Sequence, residues 1–85
     1  MTEETIMYRL QEIFVEVFDD KNLVLTPQTN AHDIAEWDSL RHITIIVAAE
    51  QRFGMKFRSA DVDSLTNVGE MVKQIRHRME TAVHA

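Results

Sequence analysis

The chain has 85 residues, 45% of them apolar, and no cysteine. It can therefore build one core without room for a second domain, and it excludes both a disulfide framework and a Cys-ligated metal site. Its net charge of −5 excludes the basic stripe that neutralises nucleic-acid phosphates, no apolar run nears the roughly 20 residues that span a bilayer, and the start Thr2-Glu3-Glu4 lacks the basic-then-apolar order of an export signal, so a cytoplasmic protein is expected.

From Thr2 to about Asp19, apolar residues recur at Ile6, Met7, Leu10, Ile13, Phe14, Val17 and Phe18, the spacing of one helical face. Thr2 suits the N-cap, and Glu3 and Glu4 suit the positive end of the helix dipole. Residues 20–38 hold Asp20, Asn22, Pro27, Asn30 and Asp33 without sustained periodicity and read as a long loop. Loops of that length in a small domain are functional or are packed down by their own apolar residues. Leu23, Val24, Leu25, Ile34 and Trp37 are the candidates here.

A second helix is expected from Asp38 or Ser39 to about Phe53, where Gly54 is placed to end it. Residues 59–65 allow a short helical turn with Val62 and Leu65 facing inward. The last helix opens at Thr66 or Asn67, with Glu70 at capping-box spacing, and carries Val68, Met71, Val72, Ile75 and Met79 on one side. Lys73, Arg76, His77 and Arg78 are expected to complement its negative end. The predicted class is all-α: a four-helix bundle of three main helices and a short third one.

On a helical wheel the middle helix has two apolar sides. Ile45, Ile46, Ala49 and Phe53 cluster on one, and Leu40, Ile43 and Val47 nearly opposite, flanked by Arg41, Thr44, Gln51 and Arg52. One stripe can face the core. The other meets a second helix of the chain, as in a helix buried mid-bundle, or faces solvent and a partner.

The segment Glu36-Trp37-Asp38-Ser39-Leu40, opening the middle helix after a long loop, resembles the attachment motif of the acyl carrier protein family. The likeness continues through Ile43, Ile46, Ala49, Glu50, Phe53-Gly54, Asp61, Leu65, Thr66, Val68 and Ile75, along roughly residues 5–78. It implies an acyl-carrier-like bundle in a single domain over residues 1–85 with flexible termini, expected as a monomer. It implies a 4′-phosphopantetheine arm from coenzyme A on Ser39, installed by a phosphopantetheinyl transferase and flanked by Asp38 and Leu40. The arm would hold an acyl group as a thioester for acyl-loading and acyl-processing enzymes of fatty-acid, polyketide or related specialised biosynthesis. Its thiol would supply what a chain without cysteine lacks.

A second Asp-Ser-Leu stands at Asp63-Ser64-Leu65, but Ser64 directly precedes the Thr66/Asn67 cap, whereas Ser39 sits at the free end of a long helix. There, unpaired N–H groups and the helix dipole favour the phosphodiester anion. Asp38 is an N-cap acceptor or part of what the transferase and its metal read; the two roles are compatible. The resemblance makes Leu40, Arg41, Ile43, Thr44 and Val47 the contact surface for partners, and makes Ile45, Ile46, Ala49, Phe53, Leu65 and Val68 either core or the lining of an acyl-chain pocket.

The chain also departs from relatives. Residues 1–39 hold nine acids and two bases (−7) and residues 40–85 five acids and seven bases (+2), and the middle helix carries Arg41, Arg52 and only Glu50 as an acid. Partners that select an acidic recognition helix would bind it poorly. Peptidyl carriers usually place glycines before the serine; Glu36-Trp37-Asp38 does not, and Trp37 followed by Asp-Ser-Leu instead resembles discrete carriers of specialised pathways, including those that handle unusual polyketide extender units or single amino acids. Trp37 reads as a loop anchor before it reads as a specificity element.

Two other readings use the same residues. An enzyme would need Ser39 as nucleophile with His42 or His32 as base, oriented by Asp33 or Glu36. No Gly-x-Ser-x-Gly elbow is present, and the chain has two glycines in all. The histidines at 32, 42, 77 and 84 lack close metal-ligand spacing, so no metal site is expected. The second alternative is an unmodified helical interaction module, which only the chemistry of Ser39 separates from a carrier.

Overall fold

A computed structural model describes residues 2–62 and 64–83, with side chains to residue 80. Met1, Asp63, His84 and Ala85 lie outside the described residues, and with them the expectation for the extreme termini, for His84 and for the first member of the second Asp-Ser-Leu. The described residues form four α-helices and no strand: α1 Glu3–Phe18, α2 Ser39–Phe53, α3 Ser59–Val62 and α4 Val68–Val83.

Helix α1 starts where Thr2 Oγ1 accepts the Thr5 N–H at 3.2 Å, which satisfies one of the donors that every helix start leaves orphaned. It ends at Asp19, whose left-handed backbone (φ 50°) returns its N–H to Val15 O. Ile6, Leu10, Ile13 and Phe14 are buried along one side, and α1 packs against both α2 and α4.

The 20–38 segment is tied down by polar groups as well as by apolar ones. The Gln11 side chain of α1 donates to Leu23 O and accepts the Leu25 N–H at 2.8 Å, so one amide satisfies two loop backbone groups. Thr29 is buried, and its hydroxyl accepts the Thr26 N–H at 2.9 Å. Leu25, Ile34 and Trp37 enter the core and Leu23 packs against it. Val24 does not: it is 75% exposed, because Gln11 pins the backbone on both sides of it and turns the intervening side chain outward.

The same loop completes the start of α4. Val68 N–H donates to Thr29 O and Gly69 N–H to Pro27 O, both at 2.9 Å, and Asn67 Oδ1 takes the Glu70 N–H at 2.8 Å. Three N–H groups at this helix start are thereby satisfied. A Cβ on Gly69 would lie 2.9 Å from Pro27 O, so the close approach of loop and helix requires glycine there.

Val68, Met71, Val72 and Ile75 are buried, and Met79 is partly so, as the periodicity predicts. The basic run behaves differently from its expectation. Helix α4 continues to Val83 and has no basic residue in its last turn, so Lys73, Arg76, His77 and Arg78 do not serve its negative end. Arg76 instead bonds Glu3 at 2.7 Å and Glu80 at 3.1 Å, and those hydrogen bonds, Glu3's first, raise its pKa. Arg78 pairs with Asp61 and so fastens α4 to α3.

Candidate functional site

Asp38 has extended backbone (φ −107°, ψ −174°), and its Oδ1 accepts the Arg41 N–H at 2.8 Å. It is the N-cap of α2. Ser39, the first residue of the helix, is exposed, and among the described residues nothing hydrogen-bonds its hydroxyl or the N–H groups of Ser39 and Leu40. The first turn of α2 contains no acid. An exposed hydroxyl on a capped helix end is accessible to another protein, and a phosphate ester placed on it would meet N–H donors and the positive end of the dipole.

Ser64 is placed otherwise. Its hydroxyl donates to Asp61 O at 2.7 Å, and Leu65 beside it is 3% exposed. It closes the turn after α3 instead of projecting from a helix end, as its position before the α4 cap predicts.

Trp37 is 7% exposed and meets Phe14 edge-on, with ring centroids 5.1 Å apart at 81°, so it anchors the loop on α1. Its Nε1–H donates to His42 Nδ1 at 3.2 Å. An indole N–H can only donate, so Nδ1 is the acceptor and the neutral ring carries its proton on Nε2, which lies 3.4 Å from Val62 O. This chain joins the loop, α2 and α3 directly beside Ser39. Sequence reasoning missed it, and the five-residue step from Trp37 to His42 was its one available signal.

That arrangement also removes the nucleophile-and-base alternative. Both His42 nitrogens are committed to Trp37 and Val62, and Asp33 Oδ2 accepts the Asn30 N–H at 3.0 Å instead of orienting an imidazole. No histidine bonds Ser39 among the described residues.

Helix α2 divides as its wheel predicts. Ile45, Ile46, Ala49 and Phe53 are 0–7% exposed, whereas Leu40 is 73%, Ile43 52% and Val47 45% exposed. The alternative of a helix buried on all sides is thereby excluded. Both α2 arginines reach back to α1: Arg41 Nη1 donates to Val17 O at 3.0 Å, and Arg52 pairs with Glu12 at 3.4 Å. Thr44 returns its hydroxyl to Leu40 O at 3.0 Å. The exposed stripe is therefore apolar, with its polar flank partly engaged within the chain. Leu65 and Val68 are buried at 3% and 0% with the inward stripe.

An open cleft of about 730 Å³ runs from Ser39 and His42 across to Asn30, His32, Thr66 and Asn67. No described helix is long and apolar enough to cross a membrane.

Comparison with known proteins places residues 9–75 in the family described as phosphopantetheine attachment site. The chain is 30% identical over 82 residues to the acyl carrier protein of Acidothermus cellulolyticus, covering 96% of this chain and 98% of that one. It is 33% identical over 75 residues to the meromycolate extension acyl carrier protein of Mycolicibacterium smegmatis, covering 88% and 76%. The solution structure of holo acyl carrier protein from Geobacter metallireducens superposes with a TM-score of 0.86 at 35% identity, covering 93% of this chain and 91% of that one.

Proposed function

From the premise that this chain belongs to the acyl carrier proteins, non-catalytic carriers of phosphopantetheine, we propose that Ser39 is the residue that bears the arm. The observation that carries the proposal is the contrast between the two serines: Ser39 exposed at the capped start of α2, Ser64 bonded to Asp61 O. The residues present fit the group. Ser39 Oγ would attack the pantetheine-side phosphorus of coenzyme A and give up its proton to a base of the transferase, while the pyrophosphate P–O bond breaks and adenosine 3′,5′-bisphosphate leaves. The Ser39 and Leu40 N–H groups would face the resulting phosphodiester, and Asp38 would hold the helix end in shape. When attached, the arm supplies the terminal thiol that carries an acyl group as a thioester.

Leu40, Ile43 and Val47 form the surface on which acyl-loading and acyl-processing enzymes dock, because an exposed apolar stripe beside the arm is the contact such enzymes can desolvate. Arg41 and Thr44 stand on its flank. The pathway is acyl-chain assembly of the fatty-acid, polyketide or related specialised kind, in the cytoplasm, with residues 1–85 acting as one carrier domain and as a monomer. The name of the meromycolate extension relative supports a role in chain assembly.

The test is intact-mass analysis after incubation with coenzyme A and a broad-specificity phosphopantetheinyl transferase. One arm should be added to the parent and to Ser64→Ala, and none to Ser39→Ala. An arm that persists in Ser39→Ala, or is lost in Ser64→Ala alone, refutes the assignment.

A further inference from the structure

We propose that Trp37 and His42 form a hydrogen-bonded staple across the start of α2, and that His42 is thereby a positioning residue for attachment of the arm. The proposal rests on the assignment of the arm to Ser39 and adds what holds that serine in place.

Asp38 is the N-cap, so Trp37 is the residue before the cap and His42 the fourth residue of α2. Side chains at these two positions commonly pack on each other and fix the angle at which a chain enters its helix. Here the two rings stack, with centroids 6.0 Å apart and planes 23° apart, and a directional bond is added, from Trp37 Nε1–H to His42 Nδ1 at 3.2 Å. Each member is also held from outside the turn. Trp37 rests edge-on against Phe14 of α1, and His42 Nε2 lies 3.4 Å from Val62 O of α3. Asp38 closes the same turn on the backbone, taking the Arg41 N–H on Oδ1 and the His42 N–H on its carbonyl at 2.9 Å.

Ser39 stands inside this bracket. Its hydroxyl has no partner among the described residues, so its place is set by where the first turn of α2 stands relative to the chain that enters it. Attack on phosphorus is sensitive to that place, because a small misalignment of the reacting oxygen costs rate even when binding is unchanged. Without an acceptor at His42 the two sides of the turn are tied only by the cap, and a smaller fraction of bound carriers presents the serine correctly. His42 is half-buried and lies off the exposed stripe of Leu40, Ile43 and Val47. Its loss therefore leaves the docking contact as it was.

The test follows arm transfer from coenzyme A by a broad-specificity transferase at varied carrier concentration. Peptide mass first locates the arm in the parent; an arm on another residue, or none, removes the Ser39 assignment and the staple with it. With the arm on Ser39, His42→Leu should lower kcat about two- to tenfold, the factor by which one hydrogen bond shifts a population, and keep the KM for carrier within about twofold. Trp37→Phe, which retains a ring against Phe14 and deletes the donor, should do the same. The two combined should be no slower than either alone, since both remove one bond. His42→Asn, whose amide oxygen is as many bonds from the backbone as Nδ1, should recover the parent kcat. Gln11→Ala, which frees the loop at residues 23 and 25 instead, should lower the thermal midpoint without lowering kcat.

If His42→Leu does not fold, Trp37→Phe decides alone. An unchanged kcat, a rise in KM only, an equal fall in Gln11→Ala, or no recovery in His42→Asn overturns the staple, and the carrier assignment would still stand on the mass result.

Discussion

The Arg41 guanidinium of α2 donates to the carbonyl of Val17, in the last turn of α1, over 3.0 Å. Helix α1 has no basic residue in its own last turn, so a neighbouring helix supplies the cation that its negative end favours. An arginine that reads in the sequence as a rim charge for choosing partners therefore also joins two helices just below the serine.

Reversing that charge should weaken the fold as well as partner choice. Arg41→Glu removes the donor and puts a carboxylate near unsatisfied carbonyls, so urea midpoints should report a loss of about 0.5–1.5 kcal/mol, with Arg41→Lys losing less. Raising the salt concentration should reduce the loss for Arg41→Glu. Equal midpoints for the parent and Arg41→Glu would mean that the bond to Val17 contributes nothing in solution.

Val47 lies on the exposed stripe at 45% exposure. Val47→Asp should alter stability by no more than about 0.5 kcal/mol, as surface substitutions do. It should nonetheless slow cargo transfer by a cognate enzyme roughly tenfold, the usual loss when a charge enters an apolar contact. Transfer rates with circular dichroism on the same samples separate the two effects, and unimpaired transfer would remove Val47 from the docking surface.

Phe53, on the opposite side and 7% exposed, ends α2 inside the core. Phe53→Ala should lose about 3–4 kcal/mol, a large part of what a domain of this size possesses. A urea midpoint within error of the parent would show that its ring is not a core element.

Gly69 is the fourth case, because local and tertiary preferences oppose each other. Alanine is better than glycine within a helix by about 1 kcal/mol, yet its Cβ would stand 2.9 Å from the backbone of Pro27. Forcing the loop off α4 should prevail, leaving Gly69→Ala about 1 kcal/mol less stable than the parent. A more stable variant would mean that the loop yields easily.

Much of this architecture is legible before any coordinates. The helices follow from apolar spacing, and their ends from Thr2, Asp38, Gly54 and Asn67, because periodicity and capping depend on residues at most four positions apart. Gly54 adopts the left-handed backbone (φ 63°) its place requires. The wheel of α2 likewise separated Ile45, Ile46, Ala49 and Phe53 from Leu40, Ile43 and Val47. It did not say which stripe met water, since that depends on where α1 lies.

What only the tertiary structure decided are the polar contacts between distant residues: Gln11 to the backbone of residues 23 and 25, Arg41 to Val17, Trp37 through His42 to Val62, and the start of α4 to Thr29 and Pro27. Such contacts leave no periodic trace. A glutamine, an arginine or a histidine on a helix has many partners its side chain can reach, and packing selects one. Val24 turned outward, and the basic run of α4 turned to Glu3, Glu80 and Asp61, because each backbone and charged group takes the partner that the assembled helices bring within bonding distance.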